Sequence, residues 1–140
     1  MDQTLAIIKP DAVAAGNAGK ILAHLEEKGF RIITIAKRTL SRDQAAAFYA
    51  VHRERPFYDN LVEFMTEGPV MPVVLEREDA VPFLRQTMGA TNPAEADAGT
   101  LRDLYGTSIE RNAIHGSDSP ENAAIETAFF FSQADRISGS

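Results

Sequence analysis

Three histidines occur in this chain of 140 residues, and His115 has the neighbours of a reactive group. It stands between Ile114 and Gly116, followed by Ser117 and Asp118, at the end of an irregular stretch and just ahead of a helix start. An imidazole that acts as nucleophile or acid–base needs one ring nitrogen free and the other held by an acceptor that fixes tautomer and orientation. Glu126 is a candidate holder, because a helix starting near Pro120 can return its carboxylate toward the loop within about two turns. The alternative is an ordinary exposed helix acid. His24, beside Glu26 and Glu27, and His52, among Arg53, Glu54 and Arg55, are expected to be solvated bystanders.

Other chemistries lack their residues. There is no HExxH, no pair of histidines on one helix face and no carboxylate-rich calcium loop, so a tightly held protein-ligated metal is not expected. The segment Gly16-Asn17-Ala18-Gly19-Lys20-Ile21 has the wrong spacing for a Walker A loop and no hydroxyl after the Lys; its glycines read as turn residues before a helix. Neither a GxGxxG fingerprint nor an RNP-type aromatic set occurs. With no cysteine there is no disulfide framework and no thiol nucleophile.

The elements that must position these residues follow from length and pattern. At 140 residues and 44% hydrophobic content, a single domain spanning 1–140 is expected. Met1-Asp2-Gln3-Thr4 carries an acid where a secretory leader is basic, and Leu5 to Ile8 is too short for a membrane span; the expectation is a soluble, unprocessed, cytoplasmic protein. The net charge of −6 argues against a general nucleic-acid binder. It is unevenly spread: residues 1–56 carry nine basic and six acidic side chains, residues 57–140 five and fourteen, so an anion site requires locally gathered cations.

Thr4 to Lys9 reads as a first strand, closed by Pro10. A helix from Ala18 presents Ile21, Leu22 and Leu25 on one face and stops at Gly29. Phe30 to Leu40 reads as strand two. Ser41-Arg42-Asp43-Gln44 is a capping box ahead of a helix through Tyr49 and His52, broken by Arg55-Pro56-Phe57. Leu61, Val62, Phe64 and Met65 mark a partner helix ending at Gly68-Pro69. Val70 to Glu76 reads as strand three, with Pro72 pointing to an edge or a bulge, and Val81, Leu84 and Met88 mark a helix ending at Gly89. Residues 90–118 form a long irregular stretch, the kind of segment that carries a site. Ser119-Pro120-Glu121 opens a helix leading to Phe129-Phe130-Phe131 as the last strand, with a surface extension beyond Ser132. The order condenses to βαββαβ, an α+β, ferredoxin-like sandwich with a four-stranded antiparallel sheet and helices packed on one face.

The string Asn112-Ala113-Ile114-His115-Gly116-Ser117-Asp118-Ser119 resembles the active-site signature of nucleoside diphosphate kinases. Ile8-Lys9-Pro10-Asp11, Arg55-Pro56-Phe57, Glu67-Gly68-Pro69-Val70, Met88-Gly89-Ala90-Thr91-Asn92-Pro93 and Gly99-Thr100-Leu101-Arg102 are similar to that family in order and spacing, from Gln3 to about Phe131. Asp103-Leu104-Tyr105 and Gly106-Thr107 depart from the family's usual residues, which bears on the conformation of that loop.

The resemblance implies a reversible ping-pong transfer of the terminal phosphoryl group of a nucleoside triphosphate, mainly ATP, to a nucleoside diphosphate through a phosphohistidine on His115 Nδ1. It implies Glu126 and Ser117 as the histidine's hydrogen-bond partners, and Lys9, Tyr49 and Arg102 around the transferred phosphate. Arg85 and Thr91 would hold the preceding phosphate, Lys9 and Asn112 the sugar hydroxyls, Phe57 the base by stacking, and Leu61 and Ile109 an apolar slot around it. With no group reading the base edge, ribo- and deoxyribonucleotides of every base are expected substrates. Mg²⁺ is expected to arrive on the nucleotide phosphates, with Asp118 at most an outer-shell contact and no protein-held metal. The family's assemblies imply a homo-oligomer, with a tetramer favoured over a dimer or hexamer. Taken singly, Lys9 could cap a strand, Arg85 and Arg102 could be solvated charges, Phe57 could be core and Tyr49 could pack on its helix; it is their joint order that favours the site. A phosphohistidine relay to proteins and a nucleotide-binding module are the competing readings.

Overall fold

The computed structural model describes residues 1–137. Its sheet consists of β1 (Asp2–Ile8), β2 (Arg31–Ile35), β3 (Met71–Arg77) and β4 (Ile114–Gly116), in the spatial order β2-β3-β1-β4 with every described pairing antiparallel. The helices are α1 (Pro10–Ala14), α2 (Ala18–Glu27), α3 (Arg42–Phe48), α4 (Tyr58–Met65), α5 (Ala80–Met88), α6 (Leu101–Tyr105) and α7 (Pro120–Phe130). Taking α2 and α5 as the crossovers, the chain is a βαββαβ sandwich, as its pattern implies.

Alternation along β1 decides what packs where. Ala6 and Ile8 join Ile21 and Leu25 of α2 and Leu84 and Met88 of α5 in one core. Leu5 and Ile7 join Tyr49, Val62 and Phe64 with Phe130 of α7 in a second core. The expected placement of helices on one face is therefore corrected: both faces are covered. The reason is visible in β1 and β3, where residues of both parities are fully buried, as happens only when a sheet is enclosed on two sides.

Local signals are realised at several boundaries. Ser41 Oγ accepts from the Gln44 amide at 3.1 Å while the Ser41 amide donates to Gln44 Oε1 at 2.9 Å, completing the capping box of α3. The helix ends at Phe48, and a 3-10 turn carries the chain through His52. Gly89 closes α5 at φ +84°, where an added Cβ would lie 2.4 Å from Thr100 Oγ1. That contact leaves no room for a side chain between α5 and the start of α6.

Three expectations are corrected. Phe129 and Phe130 belong to the end of α7, with Phe131 just beyond it, and the last strand is Ile114–Gly116, inside the stretch read as irregular. Ala123, Thr127 and Phe130 are buried at helical spacing, and this periodicity outweighs the β-propensity of three consecutive aromatics. Strand two is shorter than expected, ending at Ile35 after a bulge between Ile32 and Thr34, with one isolated bridge from Arg38 to Val70. Pro72 lies in β3, a central strand rather than an edge. A strand residue aims its N–H and C=O to the same side. The Pro72 carbonyl accepts from Ala36, so its missing donor faces the side on which β2 has already ended. Beyond Ser132, residues 133–135 and 137 are exposed, as expected, while Arg136 is partly buried and ties the segment down: Gln3 Nε2 donates to the Arg136 carbonyl at 2.8 Å, and Arg136 reaches Thr127 Oγ1; the rest of the expected surface extension, 138–140, lies outside the described residues.

Candidate active site

β4 is only three residues long, yet its register fixes the direction of the histidine. His115 lies opposite Ile7, so its side chain emerges on the Ile7 face of the sheet, where α3 and α7 pack. Its neighbours point the other way, and a Cβ on Gly116 would lie 2.9 Å from the Met88 side chain. A larger residue there would have to push aside the ends of the Met88 and Leu84 side chains of α5.

On that face His115 Nε2 lies 2.8 Å from Glu126 Oε1, and Ser117 Oγ donates to the same oxygen at 2.8 Å. The ring packs edge-on against Phe48 and Tyr49, with centroids at 5.5 and 6.1 Å. With the carboxylate as acceptor, Nε2 carries the proton and Nδ1 keeps its lone pair. Among the described residues no protein group engages Nδ1 by hydrogen bond.

A cleft of about 700 Å³ opens beside the ring, and the residues singled out in the sequence border it. Lys9, buried at the end of β1, donates from Nζ to Asn112 Oδ1 at 2.8 Å, and Asn112 Nδ2 donates to the Thr91 carbonyl. Burial, and then the nearby Arg102 guanidinium, pushes the Lys9 ammonium down to about 8, against smaller opposing effects of Asp11 and Glu110. Arg102, buried on α6, donates to the carbonyls of Gly89 and Ile114 at 3.1 and 2.9 Å. Burial, with Arg85 adding to it, lowers its pKa to about 10. Burial, followed by the Glu126 charge, raises the Tyr49 phenol, so it stays protonated and able to donate. The Tyr49 hydroxyl and Arg102 Nε are buried without a hydrogen-bond partner among the described residues, which are polar atoms a phosphate oxygen could satisfy.

Arg85 and Thr91 are exposed at the cleft, while Phe57 (49% exposed), Leu61 and Ile109 (61% exposed) form its apolar end. Every residue expected in the site therefore lies in or against one cleft, with Ser117 behind the histidine. The departure at Asp103–Thr107 is absorbed locally. Thr100 caps α6 by accepting from the Asp103 amide, and Gly106 is crowded between the Arg102 carbonyl and Pro93, where a Cβ would be 2.7 Å from each.

Two histidine expectations are corrected. His52 is partly buried in the cleft wall, its ring 5.5 Å from Phe57 and 6.5 Å from Tyr49, because the 3-10 turn after α3 swings it inward. His24 is partly buried too, with Nε2 shut off from solvent. Sequence reasoning also missed Phe48, Val51, Glu110 and Ile125 in the cleft wall. A helical Phe and an exposed acid carry no signal of their own. Ala113, at φ +77°, was equally silent.

Fold and site together define the class: a ferredoxin-like α+β enzyme domain with a carboxylate-held histidine at a cation-bearing cleft. The family model for nucleoside diphosphate kinase matches residues 2–136. The nucleoside diphosphate kinase of Persephonella marina is 53% identical over 137 residues, covering 98% of both chains. That of Syntrophotalea carbinolica is 57% identical over 137 residues, covering 98% of this chain and all of the other. The crystal structure of the Aquifex aeolicus nucleoside diphosphate kinase superposes with a TM-score of 0.95 at 44% identity, covering 97% of this chain and 99% of that one. The Encephalitozoon cuniculi nucleoside diphosphate kinase gives the same TM-score at 35% identity, covering 100% and 95%. The chain belongs to the nucleoside diphosphate kinase family and is an enzyme of that type. No described helix is long and apolar enough to cross a membrane.

Proposed function

We propose that the chain moves the terminal phosphoryl group of a nucleoside triphosphate, mainly ATP, onto a nucleoside diphosphate through His115, in two half-reactions that share one cleft. The observation that carries this reading is the Glu126 carboxylate on Nε2, which leaves Nδ1 as the histidine's nucleophilic atom. The Nδ1 lone pair attacks the terminal phosphorus in line, the bond to the bridging oxygen breaks, and the nucleoside diphosphate leaves. The Nε2 proton stays shared with Glu126, whose charge offsets the positive charge developing on the ring. A second diphosphate then takes the phosphoryl group by the reverse of these steps. One phosphoanhydride is exchanged for another, so the reaction is nearly thermoneutral.

Lys9, Arg102 and the Tyr49 hydroxyl surround the moving group, and Arg85 and Thr91 hold the phosphate before it. Phe57 stacks the base while Leu61 and Ile109 enclose it; Lys9 and Asn112 take the sugar hydroxyls. A half-exposed aromatic and an apolar slot hold any base by its face, which supports broad base acceptance.

When bound with the nucleotide, Mg²⁺ partly neutralises the phosphate charge. The donors bordering the cleft fit an ion carried by phosphates and water. Asp118 Oδ1 already accepts from Asn122, Glu126 Oε1 is taken by His115 and Ser117, and no cluster of three metal-binding side chains occurs among the described residues. Asp118 would be at most an outer-shell contact.

Initial rates with both nucleotides varied test the two-step scheme: parallel double-reciprocal lines are expected, and intersecting lines would contradict two separate half-reactions. A pH effect follows from Lys9. Its ammonium loses its proton as pH rises through about 8, and a neutral amine no longer attracts phosphate. The expected kcat/KM therefore declines above pH 8, and the limb for kcat lies higher because bound phosphate favours the charged form. A profile flat to about pH 9.5 would contradict the lowered pKa of Lys9.

We also propose a cytoplasmic homotetramer. Among the described residues no strand pairs with the outer side of β2, and Ile35 is exposed there, which supports association between copies. Light scattering should give a mass of four chains; a single-chain mass would reject association.

A further inference from the structure

We infer that Asp11, which does not border the cleft, is a positioning residue: its carboxylate holds the Asn112–Ala113 turn that sets Asn112 against Lys9 and starts β4 in the register that aims His115. This inference rests on the phosphotransfer reading of the cleft and assigns one more side chain to it.

Ala113 adopts φ +77°, a left-handed conformation that crowds the Cβ of an L-residue, so something must hold it there. Two interactions grip it from the loop after β1. The Lys9 amide donates to the Ala113 carbonyl at 2.9 Å, and the Ala113 amide donates to Asp11 Oδ2 at 3.1 Å. One peptide on either side of Ala113 is thus pinned to residues 9 and 11, a hundred positions earlier in the chain. Asn112, immediately before Ala113, spans Lys9 Nζ and the Thr91 carbonyl, and His115 follows three residues after it. Without the Asp11 acceptor, the Ala113 amide loses its partner in a partly enclosed turn and the left-handed conformation loses a main support.

Asp11 also acts through charge. Burial raises its pKa, while Lys9 and then the amides of Ala12, Ala113 and Asp11 itself oppose that rise. Reciprocally, the carboxylate favours the charged form of Lys9. The groups acting on Lys9 are Arg102 from α6, which discourages its charge, and Asp11 from α1 and Glu110 from the loop before β4, which favour it. One carboxylate therefore sets both the backbone beside the site and the charge of the lysine in it. Capping the five-residue α1 alone would do neither.

The test compares wild type with Asp11→Ala, Asp11→Asn and the double variant Asp11→Ala/Ala113→Gly. The readouts are ADP affinity by calorimetry, kcat/KM against pH, and melting temperature. Asp11→Ala should weaken ADP binding and lower kcat/KM by about 10²-fold, the scale of misplacing a reacting group. In the double variant glycine accepts φ +77° without strain, so about tenfold or more should return. Asp11→Asn keeps an oxygen for the Ala113 amide but removes the charge, so its alkaline limb should move to lower pH. Equal activity and affinity in the single Ala and double variants, or an unmoved limb in Asp11→Asn, would overturn the inference. So would a lower melting temperature with unchanged kcat/KM. Should Asp11→Ala not fold, Asp11→Asn decides: with the acceptor for the Ala113 amide kept, ADP affinity should stay within a few-fold of wild type, and a loss as large as that expected of Asp11→Ala would overturn the inference. ADP affinity reports on Asp11 even if wild type forms no phosphoenzyme, so failure of the transfer scheme and failure of this inference are read separately.

Discussion

Replacing His115 with Gln should remove at least about 10⁴-fold of kcat, the scale seen when a covalent nucleophile is lost, while leaving ADP affinity within a few-fold of wild type. The geometry makes the two effects separable. The Gln amide can still donate toward Glu126 Oε1, so the carboxylate and Ser117 keep a partner and the packing against Phe48 is perturbed little. What disappears is the Nδ1 lone pair. Lys9, Arg85, Arg102 and Phe57 come from other elements and retain their places in the cleft. Rates by a coupled assay and binding by calorimetry check both halves. A kcat within tenfold of wild type would mean direct transfer between nucleotides, with the histidine only lining the cleft.

Lys9→Met should have the next largest effect, a fall of about 10²–10³-fold in kcat/KM, because a buried cation beside a transferring phosphoryl group acts where water screens it least. Methionine fills nearly the same volume, so lost packing is small and lost charge is what is measured. Asn112 Oδ1 loses its donor at 2.8 Å and is left buried, which adds a modest stability cost. The same substitution should erase the alkaline limb near pH 8, since the titrating group is gone. A loss below fivefold, or a limb that persists unchanged, would reassign phosphate binding to Arg102 and Arg85.

The sequence announced those parts of the site that depend on residue type and less of what depends on packing. The capping box at Ser41, the stop at Gly89 and the helix start at Ser119 were legible because each boundary is decided by interactions a few residues apart. Strand β4 was not. Three residues show no alternation, and its pairing partner lies more than a hundred positions away in β1. Phe129 to Phe131 misled for the opposite reason: a strong local preference for strand gives way to burial of Phe130 against the second core. Pro72 misled because its missing donor matters only if a neighbour needs it, and β2 stops short of it.

The cleft shows the same division. Residues drawn from the family-like motifs, from Lys9 to His115, border it together although they come from the ends of several different elements. His52 was misread because its charged sequence neighbours say nothing about a turn that folds its ring toward Phe57. Asp11 and Ala113 carry no chemistry of their own type, and their part emerges only from a hydrogen bond across the sheet end and a positive φ.

Incubation with Mg²⁺ and γ-phosphate-labelled ATP in the absence of acceptor tests the phosphohistidine most directly. A covalent relay through His115 yields label on the protein that is labile in acid and stable in base, is absent from His115→Gln, and passes to GDP and CDP alike when they are added. Wild-type protein that binds the nucleotide yet takes up no label, or label that survives in His115→Gln, would contradict it.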